Sequence, residues 1–306
     1  MNIWEDIKWQ YTYGSNLIRL ILINIGVFII VNLISLPFVL FSKTAPFDLV
    51  GIFSLYASPH NFMYHPWGIF TYMFLHEGFW HILWNMLGLY WFGQIVLDMI
   101  GKPKIVPIYL YGGMFGGLVY MLAYNLFPAF SNAVYTSSCI GASASVMAIA
   151  FAAATIAPEY ELRLLFFGNV KIKWIAFAYL ILDFINIQHG NAGGHIAHIG
   201  GAFFGFMYIR LLQNGTDLAR PFYVIADYFS TFSEKKSKLK VTYKKQEYAY
   251  SSAQTKQQTN TQAPPNKELV NKQEKLDAIL DKINRSSYDS LTKEEKEFLF
   301  KISQED

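Results

Sequence analysis

Three short stretches carry the residues able to do chemistry. IGASASV, residues 140–146, holds Ser143. If this stretch opens a helix, Ser143 stands where unpaired backbone N–H groups favour developing negative charge. A free serine hydroxyl is a weak nucleophile and needs a base. Base candidates stand in GGHIAHIGGAFFG, residues 193–205, where His195 and His198 are three apart and share one face of a helix. FLHEGFWHILWNMLGLYWF, residues 74–92, places His81 and Asn85 four apart, again on one face. Both can donate hydrogen bonds, and one donor preorganised for an acyl-transfer oxyanion is worth about 10² to 10³ in rate. Plainer readings stand beside these. Gly, Ala and Ser are common contact residues between membrane helices, and a His–Asn pair can make an interhelical hydrogen bond worth about 0.6 to 2 kcal/mol.

The elements that must position these residues are membrane helices. Of 306 residues, 53% are hydrophobic and only 15% charged, against about 25% charged in soluble domains. Long stretches between Leu20 and Met207 are nearly free of charge, whereas Lys, Gln, Asn, Ser and Thr crowd the chain after Ser233. The composition implies an all-α, multi-pass integral membrane protein with a polar tail, and excludes a soluble globular enzyme. No nucleic-acid partner is expected; membrane lipids are. The first residues, with acids and aromatics where a basic and then an apolar region should stand, do not read as a signal peptide. Trp4, Trp9, Tyr11 and Tyr13 suit a segment at the lipid–water boundary. Six spans of apolar sequence follow, at about 20–41, 79–100, 106–127, 141–157, 172–187 and 195–212. The fourth is short and built of small residues, so it is expected at the centre of the bundle.

Loop charge then sets orientation. Lys8, Arg19, Lys102, Lys104, Arg163, Lys171 and Lys173 fall in one set of connections, and only Lys43 in the other. The basic set is expected to be cytoplasmic, with both termini inside a bacterial inner (plasma) membrane. The second, fourth and sixth spans then all enter from outside. His81, Asn85, Ser143, His195 and His198 lie near their outer ends and share one depth. Gly201 and Gly205 make a small-xxx-small pair that lets the sixth helix touch the Ala- and Ser-rich fourth, bringing His198 against Ser143.

These residues carry a resemblance. His76, His81 and Asn85 give H-x4-H-x3-N, Gly141 to Ser143 give G-x-S, and Ala197-His198-x-x-Gly201 gives A-H-x-x-G. In this order on the second, fourth and sixth of six spans, they resemble a rhomboid intramembrane serine protease over roughly residues 15–213. The resemblance implies a six-helix bundle with Ser143 as nucleophile and His198 as base, a dyad without a third acid. His81, Asn85 and the Ser143 backbone N–H would form the oxyanion hole, supported by His76 and Gly141. The substrate would be a transmembrane helix of another protein, cut near its outer end, with no metal, ATP or other cofactor. The alternative is a silent relative that binds transmembrane helices without cutting them. Two departures stand out: Ala144 follows the nucleophile where the family often has Gly, and the Trp-Arg pair of the family's first outer loop is missing beside Pro66-Trp67-Gly68.

Other residues have weaker readings. Asp183, inside the fifth span, is read first as a structural hydrogen-bonding group and second as a third catalytic member. Cys139 is alone, so it forms no internal disulfide, and no base motif is keyed to it. His76, His81, His195 and His198 could hold zinc with Asp183, but H-x4-H is not a helical zinc spacing and no H-E-x-x-H occurs. Gly112 with Gly116 and Gly113 with Gly117 imply tight packing of the third span. The chain divides into an interfacial segment 1–19, a membrane domain 20–213, an exit segment and disordered linker 214–268, and a helical hairpin 269–306. In the hairpin, Thr292 and Glu295 form a capping box. Too small for a core of its own, the hairpin is expected to engage a cytoplasmic partner, the underside of the membrane domain, or itself.

Overall fold

The computed structural model describes residues 2–41, 48–164, 167–233, 275–283 and 290–302. The Lys-rich run at 235–245, and the linker read as disordered up to residue 268, lie outside these. The described chain falls into two units, Met1–Ser237 and Lys238–Asp306.

The first unit opens with α1 (Ile3–Tyr13), capped by the Asn2 side chain, and α2 (Asn16–Leu40), capped by Ser15. The Arg19 side chain donates to the carbonyls of Tyr11 and Thr12, closing the corner between them. Three short helices, α3 (Leu49–Phe53), α4 (Pro59–Tyr64) and α5 (Gly68–Thr71), form the connection to α6 (Phe79–Ile100). A turn at Gly101, with φ of +87°, and Pro103 lead into α7 (Ile105–Leu126). The remaining helices are α8 (Ser143–Ile156), α9 (Ile172–Asn186), α10 (Ala192–Gln213) and α11 (Arg220–Ser233). A strand pair, β1 (Leu55–Tyr56) with β2 (Ser138–Cys139), joins antiparallel with Leu55 opposite Cys139; β3 (Glu161–Leu164) and β4 (Gly168–Lys171) form a hairpin before α9.

All six expected apolar segments are helical, within four residues of the bounds read from sequence. Among the described residues, Asn16–Leu40, Lys102–Leu126 and Ala192–Gln213 are long and apolar enough to cross a membrane, with Ser143–Ile156 a shorter apolar helix. That short helix is the most enclosed: ten of its fourteen residues are buried. Glycine makes the enclosure possible. A Cβ on Gly201 would lie 2.1 Å from the Ala144 carbonyl oxygen, and one on Gly205 would lie 1.9 Å from that of Ala148. Backbone thus rests on backbone where α10 crosses α8. Opposite, Gly112 and Gly113 on α7 meet Ala148 and Ser145 with the same absence of room. Such approaches are how helices associate where lipid gives no hydrophobic drive.

Connections gather at two ends. At one, β1 pairs with β2, Ala57 N–H donates to Ser137, and Asn61 reaches the Tyr135 carbonyl. At the other, Lys104 pairs with Asp217, and the Tyr223 hydroxyl donates to the Pro103 carbonyl at 2.9 Å. The turn before α6 is bolted down from inside: the Tyr109 hydroxyl donates to the Met73 carbonyl at 2.8 Å, and the Tyr72 hydroxyl to that of Gly113 at 2.6 Å.

The second unit holds α12 (275–283) and α13 (Lys293–Ile302). The Thr292 hydroxyl accepts from the Glu295 N–H at 3.3 Å, while the Glu295 carboxylate accepts from the Thr292 N–H at 2.7 Å. This is the reciprocal capping box read from sequence. Lys282 on α12 pairs with Glu295, and Lys275 lies over the Phe298 ring, so the two helices face each other. The Lys282 contact, and then the Thr292 backbone, hold the Glu295 carboxyl below its usual value.

Candidate active site

Ser143 is the first residue of α8, and no side chain caps that helix start. Its hydroxyl donates to His198 Nε2 at 2.6 Å. The other nitrogen of that ring, Nδ1, lies 2.9 Å from Asp183 Oδ1 on α9. The same oxygen is 2.7 Å from His195 Nδ1. The Asn191 side chain accepts from the Gly194 N–H and fixes the start of α10, nearly two turns before His198.

Across from this pair stand His81 and Asn85 on α6. The Glu77 N–H donates to His81 Nδ1 at 3.4 Å, so in the neutral ring Nε2 carries the proton. A Cβ on Gly141 would lie 2.8 Å from that Nε2 and 3.4 Å from Ser143 Oγ. Gly141, with φ of +132° and its N–H held by the Tyr72 carbonyl, therefore keeps clear the space between the hydroxyl and the imidazole N–H. Asn85, 7% exposed, spends one amide N–H on the His81 carbonyl at 2.8 Å. His81, Asn85, Ser143 and His198 line one cavity of about 390 Å³, walled largely by apolar side chains such as Trp84 and Met147.

His76 lies behind His81, the two rings edge-on at 5.1 Å. Burial first, and then the His81 ring, push the His76 imidazole down to about 4; the Phe74 backbone pulls the other way without completing a hydrogen bond. His76 therefore fills space as a neutral ring. Ala144, 1% exposed, fits because a glycine, Gly116, faces its methyl from α7. Ser145 is fully buried against Met73. Cys139 is buried, which pushes its thiol up to about 12 and leaves it inert. Trp67, near the place of the missing Trp-Arg pair, donates its indole N–H to the Ile52 carbonyl at 2.7 Å.

Asp183, His195 and His198 are the one group of donors, among the described residues, with the convergence a metal would need. Their spacing is that of hydrogen bonds. Two ligands of a tetrahedral ion with bonds of about 2.0–2.1 Å sit about 3.3 Å apart, farther than the 2.7 and 2.9 Å seen here. The other proposed zinc donors, His76 and His81, lie outside this group.

The family model described as the Rhomboid domain matches residues 64–214. The chain thus carries a domain of the rhomboid family. Its apolar helices then make it an integral membrane protein. "RHOMBOID-like protein 12, mitochondrial" of Arabidopsis thaliana is 29% identical over 143 residues, which is 44% of this chain and 43% of that protein. "Presenilin-associated rhomboid-like protein A, mitochondrial" of Danio rerio is 30% identical over 144 residues, 44% of this chain and 35% of that protein. "Rhomboid-related protein 1" of Caenorhabditis elegans is 31% identical over 159 residues, 47% of this chain and 40% of that protein. The chain thus aligns with less than half the length of these rhomboid relatives. Two of the three names specify mitochondria, so the likeness lends no support to the bacterial membrane expected from the sequence. Residues 265–305 match a second model, a family of unknown function, DUF6576.

Every rhomboid motif residue quoted from the sequence, from His76 to Gly201, falls inside the matched domain. One expectation changes. The rhomboid resemblance implies a pair without an acid, yet here the buried Asp183 carboxylate touches His198. The signal was present as a lone Asp in an apolar span, a placement that is costly and seldom idle. Its partners could not be read, because nothing in the spacing fixes how α9 rotates against α10.

Proposed function

We propose that this protein is an intramembrane serine endopeptidase that cuts transmembrane helices of other proteins. The observation that carries this reading is the 2.6 Å contact between Ser143 Oγ and His198 Nε2 at the uncapped start of α8, facing the His81 N–H across Gly141. Ser143 Oγ attacks the scissile carbonyl carbon while its proton passes to His198 Nε2. The resulting oxyanion is held by His81, by the free N–H of Asn85 and by the Ser143 backbone N–H. His198 then gives the proton to the leaving amine, and water, deprotonated by the same ring, frees the acyl group. No cofactor enters these steps. The cavity's apolar walls suit a helical segment that has unwound to present its peptide bond.

Six crossings are part of this reading, with both termini on the cytoplasmic side and the cavity toward the outer one. The clustering of alternate connections at two ends supports it, as does the basic character of Lys102, Lys104, Lys171 and Lys173.

The test is labelling of the detergent-purified protein by a fluorophosphonate. Wild type is expected to label; Ser143→Ala and His198→Ala are expected to stay blank while remaining folded. Labelling that persists in Ser143→Ala would discard the nucleophile. A folded wild type that never labels would favour a relative that binds helices without cutting them.

A further inference from the structure

We propose that Asp183 is a positioning residue for the Ser143–His198 pair, so that the site works as a Ser143–His198–Asp183 relay with His195 as the carboxylate's second partner. The inference rests on the protease reading above and deepens it.

The contacts form one chain. Ser143 Oγ meets His198 Nε2 at 2.6 Å, His198 Nδ1 meets Asp183 Oδ1 at 2.9 Å, and the same oxygen meets His195 Nδ1 at 2.7 Å. A carboxylate oxygen accepts, so it draws the ring proton of His198 to Nδ1 and leaves the Nε2 lone pair facing Ser143. Without that acceptor nothing seen here prefers this tautomer, and the other one cannot take the serine proton. When His198 does take that proton, the imidazolium lies 2.9 Å from a carboxylate in a poorly screened interior, where the attraction counts for more than in water.

His195 has a matching task. Asp183 is 4% exposed, and among the described residues its second oxygen, Oδ2, has no hydrogen-bond partner. A buried carboxylate is costly unless it is paired and hydrogen-bonded. All of its hydrogen bonding runs through Oδ1 to two imidazoles three residues apart on α10, their rings nearly perpendicular at 84°. His195 thus gives Oδ1 a second partner beside His198. A plain structural brace between α9 and α10 would be met by either histidine alone.

The experiment compares full-length wild type, Ser143→Ala, Asp183→Asn and His195→Gln, purified in detergent. Fluorophosphonate inactivation is followed over a range of probe concentrations to separate the maximal rate from the half-saturating concentration. Asn has the shape of Asp but can equally donate to Nδ1, which selects the unproductive tautomer. Asp183→Asn is expected to lower the maximal rate by about 10² to 10⁴, with half-saturation and melting temperature little changed. His195→Gln is expected to give a smaller loss of the same kind. Nitrogen-15 NMR of histidine-labelled wild type, with His198 assigned by His198→Gln, should show Nδ1 protonated and Nε2 bare.

A wild-type maximal rate in Asp183→Asn, with Ser143→Ala blank, would reduce Asp183 to a brace and leave the protease reading standing. If Asp183→Asn fails to fold, the NMR decides alone: a wild-type His198 protonated at Nε2 overturns the relay. Wild type that does not label, or labels as well as Ser143→Ala, overturns the protease reading and this inference with it.

Discussion

His81 and Asn85 occupy one face of α6, but their geometry gives them unequal parts. His81 Nε2 faces the gap that Gly141 keeps clear beside Ser143 Oγ. Asn85 has one amide N–H committed to the His81 carbonyl and only the other free to meet an incoming oxygen. Truncating Asn85 also removes that tie, yet the ring retains its contact with the Glu77 N–H. Each of His81→Ala and Asn85→Ala is expected to lower the fluorophosphonate inactivation rate by about 10 to 10³, with His81→Ala the greater loss. Equal rates in wild type and both variants would make them packing residues. Much of this site was legible beforehand. Ser143, His198, His81 and Asn85 could be nominated because helical periodicity fixes faces, and motif spacing fixes depth along a span. The Asp183 contacts could not be read, because the rotation of one helix against another is set by packing, not by spacing.

Among the elements, α8 and α10 decide whether the site exists at all. Gly201 and Gly205 lie one and two turns beyond His198, each against an α8 carbonyl with no room for a methyl. A side chain there must push α10 away from α8, and that displacement acts on the 2.6 Å contact between His198 and Ser143. Gly201→Ala and Gly205→Ala are each expected to cost about 1 to 3 kcal/mol from overpacking, read as a lower melting temperature, and to slow labelling as well. Gly26→Ala is the comparison: Gly26 is helical too, with nothing within 4 Å of its would-be Cβ, so neither readout should fall, and the melting temperature should if anything rise. A wild-type melting curve for Gly205→Ala would mean that the helices have slack the structure does not show. The helices themselves were readable to within four residues, because long apolar runs bounded by Gly, Pro and charge leave little choice. The short β1–β2 pairing was not, since two-residue strands carry no periodic signal. Nor were α3, α4 and α5, whose apolar residues are too few to repeat.

For the whole chain the question is which parts the chemistry needs. The helix bundle does not stop at α10. Asp217, just beyond it, pairs with Lys104 and accepts from the Ala219 N–H, and Tyr223 on α11 reaches the Pro103 carbonyl. Burial works to raise the Asp217 carboxyl, but Lys104 and the Ala219 N–H outweigh it and hold it below its usual value. Residues 214–223 therefore tie the end of α10 to the α6–α7 turn, and α6 carries His81 while α10 carries His198. The second unit, Lys238–Asp306, has contacts of its own: the capping box, the Lys282–Glu295 pair and buried Ile279 and Leu291. Its residues 265–305 match a family separate from the rhomboid domain. A chain ending at Ser237 is accordingly expected to melt and to label as the full chain does. A chain ending at Asn214 loses the Lys104–Asp217 and Tyr223–Pro103 ties, and is expected to melt lower and label more slowly. Thermal melting with labelling at matched detergent separates the cases. If the chain ending at Ser237 is folded but does not label, the tail acts on the site itself. If the chain ending at Asn214 behaves like wild type, the bundle needs nothing past α10.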